Sequence, residues 1–184
     1  MNTRDIVYIA LFAAFTAALA VFPPLVLPVI GVPITAQSMG AMIAGSVLGA
    51  KRGGAALALF VALVAAGLPL LPGGRGGMAV IAGPGGGFIL SWILAAYVTG
   101  LICERLWSNL NWLKAFAASV TGGIVVLYVF GVAWISMVTG LSYFEAAASS
   151  LGFIPGDLIK AGIAATVAVT VRKSYPLIEA PRRA

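Results

Sequence analysis

Residues 36–70 read AQSMGAMIAGSVLGAKRGGAALALFVALVAAGLPL, two apolar runs with only Lys51-Arg52-Gly53-Gly54 as a turn between them. Taking this stretch as one membrane crossing or two fixes the parity of the whole chain. Its first run, residues 36–50, is short: about 15 residues at 1.5 Å each cover about 22 Å, less than the ~30 Å hydrocarbon core. A span there needs help from its flanking loop or from local thinning of the bilayer.

Outward from this pair, further apolar segments occupy about residues 6–22, 86–106, 114–139 and 153–171, and the second run of the pair covers 54–70. The pattern predicts an all-α bundle of six transmembrane helices forming one domain over residues 1–184. Charge placement supports the even count. With a cytoplasmic N-terminus, the inner side receives Arg4, Lys51, Arg52, Arg105, Lys114, Arg172, Lys173, Arg182 and Arg183, and the outer side only Arg75. That asymmetry is what the positive-inside rule expects, and removing one span would send part of the basic set outside.

The composition agrees: 184 residues, 61% hydrophobic and 9% charged, leave too little polar surface for a soluble globule. The net charge of +6 is spread over short loops and termini, not gathered in a patch with interleaved aromatics, so nucleic acid is not the partner it implies. Cys103 stands alone and the chain has no histidine, which removes an internal disulfide and the usual zinc, haem and catalytic-triad ligands. The chain reads as a non-enzyme without metal or cofactor. It contains no G-x-x-x-x-G-K-[ST] motif and no convincing internal repeat, so energised transport would need an ion gradient or another polypeptide. The first apolar segment, followed by Pro-Pro, reads as a retained span rather than a cleaved signal.

The outer connections, FPPLVLPVIGVPITAQ, LPLLPGGRGGMAVIAGPGGG and TGLSYFEAAASSLGFIPG, are apolar and rich in Gly or Pro where solvated loops would be polar. They are expected to fold back and cover an outward-facing pocket, or else to lie on the headgroups. In the second, glycines from Gly83 to Gly87 allow close backbone approach, and the span starting near Gly86 presents its positive end. Arg75 adds a fixed cation for an anionic ligand, or for a lipid phosphate. Thr35 and Gln37 are the hydrogen-bonding side chains between Thr16 and Ser38, and Gln37 suits an amide-like or ureido-like group. Thr35 alternatively caps the second span. Phe88, beside the glycines, is a candidate pocket wall. On the first span, Ala10, Ala14 and Ala18 form a small-xxx-small face for packing inside the bundle or for docking a second membrane protein.

The final span holds FIPGDLIK, with Asp157 and Lys160 three residues apart and so on one helical face. Ionisable groups at that depth cost roughly 2.5–3.5 kcal/mol each on the insertion scale, so the pair is either a ligand site or a neutralised structural ion pair.

PITAQS, IAGPGGGF and FIPGDLIK, in this order across six spans, resemble the BioY family, biotin-specific substrate-binding S components of energy-coupling-factor (ECF) transporters. The resemblance covers nearly the whole chain. It implies a multi-pass protein of the bacterial cytoplasmic membrane with both termini inside and an outward-facing biotin pocket. It further implies docking through first-helix alanines onto a transmembrane coupling protein driven by a pair of ABC-type ATPase subunits. The ligand residues it implies are Asp157, Lys160, Thr35, Gln37 and the backbone around Gly83 to Gly87. Gly85 stands where the family more often has Thr, and Phe88 where Tyr is common, so this chain lacks the hydroxyl either would bring. An S component for another vitamin, or a stand-alone facilitator or channel for a small organic anion, is the alternative reading. Membrane lipid is the remaining expected partner.

Overall fold

The computed structural model describes residues 2–26 and 33–178. Helix α1 (Thr3–Ala18) starts at a capping box: Asn2 accepts the Asp5 N–H at 2.9 Å and the Asp5 carboxylate accepts the Asn2 N–H at 2.9 Å. It runs on as a 3₁₀ turn, Leu19–Val21. A two-residue antiparallel pairing of β1 (Leu25–Val26) with β2 (Pro33–Ile34) brings the chain back to α2 (Gln37–Leu48) and α3 (Ala50–Ala65). A short α4 (Met78–Ala82) then leads into α5 (Gly86–Arg105). Helices α6 (Trp112–Val120) and α7 (Leu127–Thr139) are joined without a break by a π-helical stretch, Thr121–Val126. Helix α8 (Tyr143–Ser150) passes through a 3₁₀ turn into α9 (Ile154–Ser174).

Among the described residues, four helical runs are long and apolar enough to cross a membrane by length and composition: Thr3–Val21, Gly86–Arg105, Trp112–Thr139 and Tyr143–Ser174. The two helices from the opening stretch are shorter, 12 residues in α2 and 16 in α3. In α2 every residue except Met39 is buried, because α1, α3, α5 and α9 all pack around it. This helix is surrounded by protein, so its length of about 18 Å need not match the bilayer.

The turn between α2 and α3 is not where its sequence suggests. Lys51, Arg52, Gly53 and Gly54 all lie inside α3, and the chain reverses at Gly49, whose φ of +86° suits only glycine. Of the two later glycines, Gly53 serves helix packing: a Cβ there would sit 2.8 Å from the Ala44 carbonyl oxygen of α2. Glu104, at the end of α5, accepts the Ala50 N–H at 2.9 Å and so caps α3 from a neighbouring helix.

The basic residues gather at one end of the bundle. Arg52 Nε lies 2.7 Å from Asp5 Oδ1, and its Nη1 donates to the Leu177 carbonyl at 3.0 Å. Arg4 donates to the Tyr175 hydroxyl at 2.8 Å, Arg172 to the carbonyls of Leu110 and Ser108, and Lys114 to that of Asn109. Arg75 lies beyond the opposite end of α3, in a tight turn with Leu71. Arg182 and Arg183, assigned to the basic side from sequence, lie outside the described residues.

Candidate functional site

At the Arg75 end a cavity of about 330 Å³ opens between the start of α2, the Gly/Pro-rich connection and the first turns of α5. Thr35, Gln37, Arg75, Gly83 and Phe88 line it together, with Trp92 and Leu71 among the apolar walls. The second outer connection supplies much of the lining, so irregular backbone here borders a cavity rather than lipid.

Gln37 is fully buried in the first turn of α2. Its Nε2 donates to two carbonyls, Thr16 at 3.0 Å and Leu70 at 2.9 Å. Two acceptors facing one amide nitrogen fix which end of the side chain is NH2. The Oε1 therefore remains a buried acceptor with no partner among the described residues. An unsatisfied buried polar atom costs about 1–3 kcal/mol, and because Gln37 is one of the cavity's lining residues this oxygen is a candidate acceptor for a donor group bound there.

Arg75 is exposed, and its Nε donates to the Pro72 carbonyl at 3.1 Å, which holds the guanidinium at the mouth. Among the described residues the ion pairs are Arg52 with Asp5 and Lys160 with Asp157, so the Arg75 charge is available to an anion. Thr35 does not cap α2: the capping position is Ala36, with no side-chain bond to the helix. Thr35 instead reaches the cavity, and its carbonyl accepts a long 3.5 Å bond from Ser38.

The glycine segment is more rigid than its composition suggests. The Gly83 N–H is spent on the Ala79 carbonyl at 3.1 Å, the Gly86 N–H on the Gly83 carbonyl at 3.0 Å, and Trp134 Nε1 also donates to that carbonyl at 3.0 Å. Gly86 itself is buried against α4 and is not part of the lining, since a Cβ there would collide with the Ile81 carbonyl. Gly83 and Gly85 are the glycines that reach the cavity.

Phe88 is a shared wall. Edge-on contacts at ring-centroid distances of 5.8 Å to Tyr128 and 6.1 Å to Phe153 connect the cavity lining to the α7–α9 side. There the Asp157 and Lys160 pair is closed by its own neighbours. Lys160 Nζ donates to Asp157 Oδ1 at 2.8 Å and to Ser38 Oγ at 3.0 Å, and Asp157 Oδ2 accepts from the Tyr128 hydroxyl at 2.7 Å. Asp157 is 4% exposed. Neither charged residue is in the lining of the described cavity, yet Ser38 is the next residue along α2 from Gln37. The third N–H of Lys160 is not used in these bonds.

Ala10, Ala14 and Ala18 lie on the exposed face of α1, whereas Ile9, Ala13 and Thr16 form its buried face. Two site residues, Ser38 and Tyr128, escaped the sequence reading, and Trp92 is a pocket-lining aromatic where that reading keeps only Phe88. Tyr128 offered a signal, a polar-tipped ring in mid-span far from the interfacial belts, and Trp92 follows Phe88 by four residues on the same helical face.

The BioY family model matches residues 1–177. The biotin transporter BioY of Rhizobium etli is 49% identical over 185 residues, covering 98% of this chain and 99% of its own. That of Rhodobacter capsulatus is 44% identical, with 94% of this chain and 95% of its own length covered. Among solved structures, the S-component for biotin from an ECF-type ABC transporter matches with a TM-score of 0.90 at 32% identity, over 96% of this chain and 97% of that one.

Proposed function

This chain belongs to the BioY family, and from that premise we propose that it is the biotin-binding S component of an ECF transporter. In this reading the protein is one transmembrane domain of six spans in the bacterial cytoplasmic membrane, with both termini cytoplasmic. The basic end of the bundle faces the cytoplasm and the cavity faces out. Helices α2 and α3 are the two short spans, helped by their protein surroundings and by the connection that follows α3.

The unpartnered Gln37 Oε1 carries the ligand assignment. Biotin has a ureido ring with two N–H donors and one carbonyl, an apolar thiophane, and a carboxylate on an aliphatic chain. Gln37 accepts a ureido N–H, the free Lys160 N–H meets the ureido carbonyl, Phe88 and Trp92 flank the apolar rings, and Arg75 takes the carboxylate. Thr35 and the Gly83 segment complete the contacts, and Asp157 holds the Lys160 ammonium in place. The cavity volume of about 330 Å³ falls in the ~300–1,000 Å³ range of small-molecule sites. Energised uptake then follows from docking of the Ala10, Ala14 and Ala18 face onto a coupling protein served by ABC-type ATPases. The protein itself needs no cofactor in this scheme.

The deciding experiment is calorimetric titration of the purified protein with biotin and with other vitamins. Biotin should bind saturably and resist competition. Gln37→Leu should weaken it at least about tenfold, from loss of a buried acceptor. Displacement of biotin by an unrelated vitamin at equal concentration would move the assignment to another S-component ligand.

A further inference from the structure

Two concavities meet at the basic end of the bundle, where α3 begins and α5 ends. One, about 440 Å³, holds the charged groups, with Lys51, Arg52, Tyr97 and Glu104 lining it beside Leu48, Leu101 and Ile178. The other is an open apolar groove between Gly54, Ala55 and Ala58 of α3 and Ile93 and Leu94 of α5. Lys51 and Tyr97 belong to both, so the compartment with the charged groups continues into an alkyl-lined one.

The charges around the junction are unequal. Arg52 is engaged by Asp5 and the Leu177 carbonyl, and Glu104 by the Ala50 N–H. Lys51 is exposed and has no anionic partner among the described residues. The floor of the groove is also open by more than packing requires. A Cβ built on Gly54 would meet Tyr97 atoms at 3.5 and 3.6 Å, ordinary contacts, so the two helices do not need glycine there. Glycine inside a helix costs about 1 kcal/mol relative to alanine, and what it leaves here is depth beside Tyr97.

We propose that this composite site holds one anionic glycerophospholipid, its phosphate on Lys51 and the Tyr97 hydroxyl and one acyl chain along Gly54, Ala55 and Ala58. A second copy of the chain is a poorer occupant on charge grounds. Of its acidic residues, Asp5 and Asp157 are ion-paired, and Glu104 and Glu145 are held by Ala50 and Ser142; Glu179 lies outside the described residues. Glu104 and Glu145 are hydrogen-bonded rather than ion-paired, so a copy could offer Lys51 one of these carboxylates only by sharing or breaking those bonds. A phospholipid brings an anion and an alkyl chain in one molecule, in the order in which the site presents their partners.

The test is native mass spectrometry of the full-length protein released from micelles containing equal amounts of phosphatidylglycerol and phosphatidylcholine with identical acyl chains. One cationic side chain near an anionic headgroup is worth about 1 kcal/mol, so phosphatidylglycerol should be retained about fivefold over phosphatidylcholine. Lys51→Gln should bring that ratio to about one, Lys51→Arg should keep it, and Ala58→Phe should reduce retention of both lipids. Equal retention of the two lipids by the wild type, or an unchanged ratio in Lys51→Gln, would overturn the proposal. So would a dimer that Ala58→Phe dissociates while lipid retention stays constant, which would assign the groove to a second copy. Biotin is not a reagent in this experiment, so its result is independent of the ligand assignment.

Discussion

Asp157 and Lys160 each have two polar partners inside the bundle: Asp157 has Lys160 and Tyr128, and Lys160 has Asp157 and Ser38. Removing one charge strands the other, so Asp157→Asn or Lys160→Gln alone should destabilise the protein by about 3–5 kcal/mol. The double variant strands nothing and should unfold closer to the wild type. Under the proposed contacts it should still lose at least about 2 kcal/mol of biotin affinity, roughly thirtyfold. Thermal unfolding in detergent and calorimetric titration read the two effects separately, and near-wild-type affinity in a stable double variant would make the pair purely structural. The pair was legible in the sequence because a charge in an apolar run is conspicuous. Ser38 and Tyr128 were not singled out, since a hydroxyl gives little such contrast. The unspent acceptor of Gln37 was invisible, because it depends on where the Thr16 and Leu70 carbonyls arrive in space.

Helix ends were less legible than helices. Lys-Arg-Gly-Gly has the composition of a turn, yet its charges sit at a helix start and its first glycine lets α3 close on Ala44. Gly49, the real pivot, is a single glycine among apolar neighbours. Gly49→Ala should cost about 1–3 kcal/mol for the extended backbone at positive φ, and more because the new Cβ displaces the Glu104 carboxylate from Ala50. A lowered unfolding temperature checks this, and an unchanged one would show that the hairpin tolerates another pivot. The exposed face of α1 makes a separate prediction. Ala14→Trp adds bulk to an exposed surface of α1, so biotin binding should persist while energised uptake fails. Parallel loss of both would place the alanine face in internal packing.

For the molecule as a whole, the positive-inside pattern set Arg75 apart from the basic residues assigned to the inner side, and the described hydrogen bonds gather Arg4, Arg52, Lys114 and Arg172 into one region at the end opposite Arg75. The proposed orientation is checked with Cys103 replaced by Ala and single cysteines placed at positions 75, 51 and 173. An impermeant thiol reagent added outside should label only position 75, and labelling at 173 would reverse the topology. The enclosure of α2 bears on how the protein is made. A ribosome delivers α2 and its partner α3 well before α5 and α9, two of the four helices that wrap it. A nascent chain halted ahead of Ile154 would therefore lack Asp157 and Lys160 and leave Ser38 uncovered. Under the proposed contacts, emergence of the final helix is thus the step at which an inserted polypeptide becomes able to bind its ligand.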